Sequence, residues 1–176
     1  SFRLGIELQG TYRISQAFNL EANLTWSRNR IINFTDAVPR YDDNFDLINQ
    51  DSTFYRNTTM SFSPEWVGSA SFNWLPFKKT EISLITKGVS DQFMDNTANK
   101  NRMLKGYLVQ DLRIVKSFES PLFKNMDVAI QINNIWNKKY EVSGYTYSYI
   151  FAGQTTTENF FFPMAGTNIT ASVNIR

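Results

Sequence analysis

Apolar and polar residues alternate without a break over the nine residues from Phe18 to Trp26. Successive side chains of a β-strand point to opposite faces, so this segment predicts a strand with one apolar and one polar face. A strand of this length, at ~3.3 Å per residue and tilted by ~40°, rises about 23 Å, close to the ~25 Å apolar band of an outer-membrane barrel. The segment suits a strand that crosses a membrane, although one face of a soluble sandwich would show the same pattern.

The alternation recurs in seven segments, none of which has the 3.6-residue period of a helix. They are centred on residues 4–8, 18–26, 66–74, 82–87, 108–114, 128–132 and 169–175. Two segments carry an exception, because Ile85 lies among polar positions and Gln110 lies among apolar ones. The sequence therefore predicts an all-β protein with seven long strands.

The connections between these segments are alternately short and long. The short ones lie near residues 15–17, 76–79 and 117–126. The long ones span about 34–63, 90–102 and 143–164. Pro121 acts as a strand breaker in the third short connection. A transmembrane barrel explains this asymmetry, because its periplasmic turns are short and its extracellular loops are long.

Aromatic residues cluster near both ends of the predicted strands, where a membrane barrel has its interfacial girdles. We therefore predict an antiparallel transmembrane β-barrel with a lipid-facing apolar side and a polar side that lines the lumen. The residues assigned to the lipid face and its girdles are Phe18, Leu20, Leu24, Trp26, Trp66, Phe72, Trp74, Ile169 and Val173. The residues assigned to the lumen are Asn19, Glu21, Asn23, Thr25, Asp111 and Arg113.

The composition excludes several classes of function. The chain has no histidine and no cysteine, so a Ser-His-Asp triad, a thiolate metal site and a disulfide are all impossible. We expect no enzyme activity, no bound metal and no cofactor. The net charge of +2, with no basic cluster longer than Lys78-Lys79, gives no sign of nucleic-acid binding. No run of about 18 apolar residues is present that could form a membrane-spanning helix.

Seven strands form an incomplete barrel, since bacterial single-chain barrels have an even number of strands. An arc of seven strands would leave two open edges, which a membrane does not tolerate. The first strand would begin on the extracellular side and the seventh would end in the periplasm. We therefore expect that earlier strands are missing, and that the chain is an open arc if it is alone.

Five stretches in the second half of the chain, which we call the familiar stretches, occur in this order: Gln92–Thr97, Leu104–Tyr107, Asp111–Arg113, Asn133–Tyr140 and Phe161–Asn168. Together they resemble the late barrel strands of TonB-dependent outer-membrane receptors of the Bacteroidetes type. Two positions depart from the family pattern. Thr167 stands where the family usually has Arg, and Arg176 is the last residue where the family ends on an aromatic one.

The resemblance implies that residues 1–176 are the C-terminal segment of a receptor barrel, roughly strands 16 to 22 of a 22-stranded barrel. The plug domain and the TonB-contacting box belong to the N-terminal part of such receptors and are absent from this sequence. The implied location is the bacterial outer membrane. The implied partners are membrane lipid, the rest of the barrel with its plug, a small-molecule ligand and, through the missing part, TonB.

Two of the long connections carry candidate ligand-facing residues. The first group is an acidic stretch that contains Tyr41, Asp42, Asp43 and Asp46. Its carboxylates could bind calcium, but it lacks the spacing and the glycine of a known calcium loop, so a solvated loop is the alternative. The second group consists of the alternating residues Tyr145, Tyr147 and Tyr149. These could stack on a sugar ring or an aromatic siderophore, or they could form one aromatic face of a strand above the membrane.

The expected function is that of an active transporter or receptor for a siderophore-like molecule or another scarce nutrient. This segment would supply barrel wall and three extracellular loops that face the ligand. Two alternatives stay open at this point. One is a small outer-membrane barrel with a structural or adhesin role, and the other is a soluble β-rich binding module.

Overall fold

The structure is a computed structural model that describes residues 1–119 and 125–175. Pro121 and Arg176, which the sequence interpretation used, lie outside the described residues. None of the described residues is helical, so none of them forms a membrane-spanning helix. The strands within this range are β1 (Phe2–Arg13), β2 (Phe18–Tyr41), β3 (Leu47–Thr59), β4 (Trp66–Phe77), β5 (Thr80–Val89), β6 (Gln92–Phe93), β7 (Met103–Leu104), β8 (Tyr107–Phe118), β9 (Met126–Asn133), β10 (Glu141–Phe151), β11 (Gln154–Pro163) and β12 (Asn168–Ile175).

Seven of these strands form one antiparallel meander in the order β1-β2-β4-β5-β8-β9-β12. Each of the seven predicted segments lies in one of them, so the all-β class and the number of wall strands are confirmed. β4 and β5 are joined by the tight turn Lys78-Lys79, in which Lys79 has a positive φ of 58°. Among the described residues, the outer edges of β1 and β12 have no partner strand.

The three long connections contain paired strands, whereas the sequence interpretation raised a strand there only as an alternative for Tyr145, Tyr147 and Tyr149. β2 is 24 residues long, and the half that follows Arg30 pairs with β3 up to the Tyr41 and Leu47 pair. β6 pairs with β7 in a short two-stranded ladder. β10 pairs with β11 in a third hairpin, and the end of β10 also runs parallel to the end of β2. Cross-strand hydrogen bonds satisfy backbone groups that irregular loops would leave to water.

The strand register separates an apolar face of the sheet from a polar one. Directly opposed residues of an antiparallel ladder have their side chains on the same face. One row across six strands is entirely apolar: Leu20, Phe72, Leu84, Leu112, Ile132 and Ile169. The adjacent row is polar at every position: Asn19, Asn73, Ser83, Arg113, Gln131 and Thr170. The alternation of each strand is therefore kept in register across the whole sheet.

The apolar face is exposed and the buried core is small. Leu4 and Ile169, near the two edges of the meander, are 67% and 69% exposed. The buried hydrophobic side chains of the described residues are Met94, Leu104, Val109 and Ile150. Three of these four belong to the hairpins and not to the wall strands. An exposed apolar face of this extent marks a surface that contacts a membrane or another protein.

Candidate ligand-binding site

The β10–β11 hairpin carries the three tyrosines that the sequence singled out. Its two-residue turn, Ala152-Gly153, has positive φ at both positions, 49° and 79°, as a type I′ turn requires. The register then places Tyr145 opposite Phe160, Tyr147 opposite Glu158, and a serine opposite Phe162. One face of the hairpin is therefore aromatic. We call the set of five rings on this face the aromatic platform: Tyr145, Tyr147, Tyr149, Phe160 and Phe162.

The rings of the aromatic platform stack on one another. The ring centroids of Tyr145 and Phe160 are 4.8 Å apart with an interplanar angle of 12°. Tyr147 lies 6.2 Å from Phe160 and 6.0 Å from Tyr149, at angles of 3° and 22°. Tyr145, Tyr147, Phe160 and Phe162 are each between 41% and 55% exposed. Phe162 is tilted by 39° to Tyr145, at a centroid distance of 6.2 Å. The result is a continuous, accessible surface of aromatic rings in mutual contact.

A carboxylate lies within the aromatic platform. The Tyr147 hydroxyl donates a hydrogen bond of 2.8 Å to Oε2 of Glu158 on the paired strand. This hydrogen bond, more than burial or the nearby negative charges, raises the pKa of Tyr147 above its ordinary value. Tyr147 is therefore a neutral hydroxyl at physiological pH, and its orientation is fixed by Glu158.

The opposite face of the hairpin is polar and is held down by Arg102. The Nη2 atom of Arg102 donates to Oγ of Ser148 at 2.7 Å and to Oγ1 of Thr157 at 3.3 Å. Its Nη1 atom donates to Oδ2 of Asp95 at 2.7 Å and lies 3.9 Å from Oδ2 of Asp36. We call these five residues the Arg102 junction. It links β2, the β6–β7 connection and the β10–β11 hairpin through one guanidinium group that is only 12% exposed.

The connection between β6 and β7 is itself ordered by side-chain hydrogen bonds. Oδ1 of Asp95 accepts hydrogen bonds from the backbone N and the hydroxyl of Thr97, at 3.0 and 2.6 Å. Oδ1 of Asn96 accepts one from the backbone N of Ser61, which lies between β3 and β4. The Gln92–Thr97 stretch therefore contacts the segments on both sides of it, and Met94 packs against Gly144 of β10. A Cβ at Gly144 would lie 2.5 Å from the Phe160 carbonyl oxygen and 3.0 Å from Met94 Sδ.

Three of the familiar stretches, Asp111–Arg113, Asn133–Tyr140 and Phe161–Asn168, meet at Asn134, which is buried and has a positive φ of 51°. Its backbone N donates to Oδ1 of Asp111 at 2.8 Å, and its side chain accepts from the backbone N of Lys138 at 2.8 Å. Its Nδ2 donates to the carbonyls of Lys138 and Ala165, at 2.9 and 3.3 Å. Thr167 donates its hydroxyl to the Asn134 carbonyl at 2.7 Å. This Asn134 junction ties the base of the β10–β11 hairpin to β8.

The acidic stretch adjoins the tip of the aromatic hairpin. Oδ1 of Asp42 accepts hydrogen bonds of 2.9 Å from the backbone N atoms of both Asn44 and Asp46, which closes the β2–β3 turn. Phe45 in that turn stacks on Phe151, with centroids 4.6 Å apart, and Tyr41 pairs with Phe151. The two predicted ligand-facing groups thus lie next to each other. Within residues 1–119 and 125–175, no three acidic side chains are grouped as metal ligands.

The predicted wall residues fall on the two faces as their alternation requires. The register places Asn19, Glu21, Asn23, Thr25, Asp111 and Arg113 on the polar face. It places Phe18, Leu20, Leu24, Trp26, Trp66, Phe72, Trp74, Ile169 and Val173 on the apolar face. Phe18 stacks on Phe72 and Trp74, with centroids 5.5 and 6.0 Å apart, so one aromatic cluster lies at the short-turn end. Contact with lipid or with a lumen stays a prediction for these residues.

The hairpin lies on the polar-face side of the sheet. A cavity of about 620 Å³ is lined by Asn23, Lys87 and Asp111 of that face and by Tyr140 and Met164 at the base of the hairpin. Sequence reasoning missed Arg102, Phe160 and Phe162. Arg102 lies between two familiar stretches, which is the only local signal it has. The three consecutive phenylalanines at 160–162 hide the two-residue period that places Phe160 and Phe162 beside the tyrosines.

An antiparallel meander with one apolar and one polar face, short turns at one end and long hairpins at the other, is a section of β-barrel wall. The family model described as TonB dependent receptor-like, beta-barrel, matches residues 3–135, and the chain belongs to that family.

Two solved structures share this fold. The siderophore receptor PiuA from Acinetobacter baumannii has a TM-score of 0.66 and 16% sequence identity, over 98% of this chain and 21% of that one. The ferric yersiniabactin uptake receptor FyuA from Yersinia pestis has a TM-score of 0.52 and 15% identity, over 98% and 21% of the two chains. The chain thus spans about a fifth of the length of each structure. No curated protein matches it.

Proposed function

We propose that this chain is a section of the wall of a TonB-dependent transporter in the bacterial outer membrane, and that its hairpins capture a small-molecule ligand. Membership of the receptor-barrel family supports this proposal. The 21% coverage of both solved receptors supports a much larger barrel of which the chain is one part, with the plug and the TonB contact elsewhere. Family membership favours this function over a small structural or adhesin barrel and over a soluble module.

The apolar face of the meander would contact lipid in this setting. Its register-matched rows of Leu, Ile, Phe and Trp side chains are exposed, as membrane contact requires. The polar face would then line the lumen, and the β10–β11 hairpin would lie over the barrel mouth. The family to which the chain belongs consists of receptors. We assign the chain a transport role without an enzymatic step.

The aromatic platform is the observation that carries the ligand-capture proposal. Its rings are preorganised by mutual stacking and by the Tyr147–Glu158 hydrogen bond, so little conformational entropy would be lost on binding. Flat ligands such as sugar rings or the chelating arms of a siderophore stack on such surfaces. The two solved neighbours are a siderophore receptor and a ferric yersiniabactin uptake receptor, which makes an iron chelate the first ligand class to test.

Uptake by the full receptor in a deletion strain tests this function. Cells would be supplied with radiolabelled ferric hydroxamate, ferric catecholate or oligosaccharide, and uptake would be compared with and without a TonB-dependent energy source. The triple variant Tyr145→Ala, Tyr147→Ala, Phe160→Ala should lose at least about tenfold in apparent affinity, because truncating each buried or stacked ring contact costs about 1 kcal/mol or more. Tyr12→Ala, which removes an exposed ring at the short-turn end, is the matched control.

Equal uptake by the triple variant and the control, at equal receptor levels in the outer membrane, would exclude the platform as the capture surface. Uptake that persists without the energy source would instead argue against active transport.

A further inference from the structure

The aromatic platform has a pronounced charge bias. Residues 141–163, all of them described, contain no lysine and no arginine, whereas they contain Glu141 and Glu158. Glu158 lies within the platform and holds Tyr147. A ligand that stacks on these rings would therefore meet a carboxylate and no cation from this hairpin.

The neighbouring turn extends the same bias. Phe45 stacks on Phe151 at the hairpin tip, which brings the turn containing Asp42, Asp43 and Asp46 beside the platform. The charge of Arg40, the nearest basic residue along this strand, is compensated by an ion pair with Asp51 on β3. The tip of the platform is thus bordered by carboxylates.

Two arginines lie against the hairpin within the described residues, and both are on its other face: Arg40, which pairs with Ile150, and Arg102. Arg102 donates to Ser148 and Thr157 of the polar face, and its charge is balanced by Asp95 and Asp36. It cannot reach a ligand on the rings without breaking the Arg102 junction. The faces of aromatic rings are themselves electronegative and attract cations.

We infer that the aromatic platform takes an uncharged or cationic ligand with flat ring faces, and that it rejects polyanions. This inference rests on the proposed capture function and narrows it. An anion would be desolvated against ring faces and carboxylates with no compensating positive charge from this hairpin, which is the unfavourable pairing that gives a binding surface its specificity. Neutral or cationic iron chelates and uncharged sugars meet this requirement on charge, whereas a trianionic catecholate complex does not.

Equilibrium binding to the purified full receptor tests the inference. Four probes would be compared at low ionic strength: an uncharged ferric trihydroxamate, a monocationic ferric trihydroxamate, a trianionic ferric tris-catecholate and an uncharged linear hexasaccharide. At ~8 Å in water each unfavourable charge costs about two- to threefold in affinity, so the tris-catecholate should bind at least about tenfold more weakly than the best other probe. Added salt should narrow this ratio.

Single-charge variants separate electrostatics from shape. Asp43→Asn and Asp46→Asn should each lower the affinity for the monocationic probe by about two- to threefold and leave that for the uncharged probes unchanged. Glu119→Gln, which removes a carboxylate paired with Lys79 near a short turn, is the matched control and should change neither.

The outcomes are distinguishable. Tris-catecholate binding that is equal or tighter, and still depends on Tyr145 and Phe160, overturns the charge inference and leaves ligand capture intact. If no probe binds in a manner that depends on those two residues, the proposed capture function fails together with the inference. The expected charge order, combined with the shifts for Asp43 and Asp46, supports both.

Discussion

Replacing Arg102 by glutamine should release the β10–β11 hairpin from the rest of the structure. The guanidinium makes three hydrogen bonds of 3.3 Å or less, one of them to the half-buried carboxylate of Asp95, and it is only 12% exposed. Removing one partner of a largely buried, hydrogen-bonded charge pair costs about 3 kcal/mol. Since about 1.4 kcal/mol corresponds to a factor of ten, the undocked population of the hairpin should rise on the order of 100-fold.

Pulsed electron paramagnetic resonance can measure this release. Residues 1–176 contain no cysteine, so in a receptor whose other cysteines are replaced, spin labels at Lys100→Cys and Ala152→Cys would report the distance between the β6–β7 connection and the hairpin tip. Both positions are exposed. We expect one narrow distance distribution for the unsubstituted chain and a broad one for Arg102→Gln. Affinity for the best platform ligand should fall in parallel, because a mobile hairpin loses its preorganisation.

Two comparison variants show whether the charge of Arg102, its planar geometry or its position holds the hairpin. Arg102→Lys keeps the charge beside Asp95 but cannot also reach the paired hydroxyls with a planar fork, so it should show a partial effect. Arg56→Gln removes the same charge from an exposed position on β3 and should show none. If Arg102→Gln leaves both the distance distribution and the affinity unchanged, the Arg102 junction does not hold the hairpin.

Three further outcomes follow from the same structure. Leu84→Arg should lower the free energy of unfolding of the barrel in membranes by about 2–4 kcal/mol, whereas Ile85→Arg on the opposite face should lower it far less. Urea unfolding in vesicles would measure both values. Equal losses of stability would contradict the assignment of the two faces. Asn134→Ala should cost about 2–4 kcal/mol in the same assay, because it removes buried hydrogen bonds and places alanine at positive φ, and an unchanged midpoint would contradict this. The raised pKa of Tyr147 means that its bond to Glu158 contributes below the ordinary tyrosine pKa of about 10 and is lost as pH rises through the raised value. Platform affinity should therefore fall only in strongly alkaline buffer, Tyr147→Phe should remove that pH dependence, and a decline near neutral pH would refute the explanation.

The wall could be predicted from sequence because its rule is local. A strand with one apolar face must alternate, and a shift of one residue would turn every apolar side chain to the wrong side. The structure also explains Gln110, the polar residue that interrupts the apolar positions of its strand. Its amide accepts the Trp136 indole N–H at 2.6 Å and donates to the Thr86 hydroxyl at 3.0 Å, so a polar side chain on the apolar face is satisfied.

The hairpins could not be predicted in the same way, because what holds them is distant in the sequence. Arg102 contacts Asp36, Ser148 and Thr157, which are 46 or more residues away from it. The parallel pairing of β10 with the end of β2 joins residues that are even farther apart. No short window of the sequence contains both partners of these contacts, so the packing of the hairpins on one another could not be predicted from residues 34–63 and 143–164.

The difference between the wall and the hairpins explains why the family of this chain is easier to identify than its ligand. Asp111, Asn134 and Thr167 belong to the familiar stretches, and the structure brings them together in a junction that fixes the base of the hairpin. The rings of the aromatic platform, such as Tyr147 and Phe160, instead stack on one another. The ligand must therefore be inferred from the chemistry of those rings and not from the family motifs.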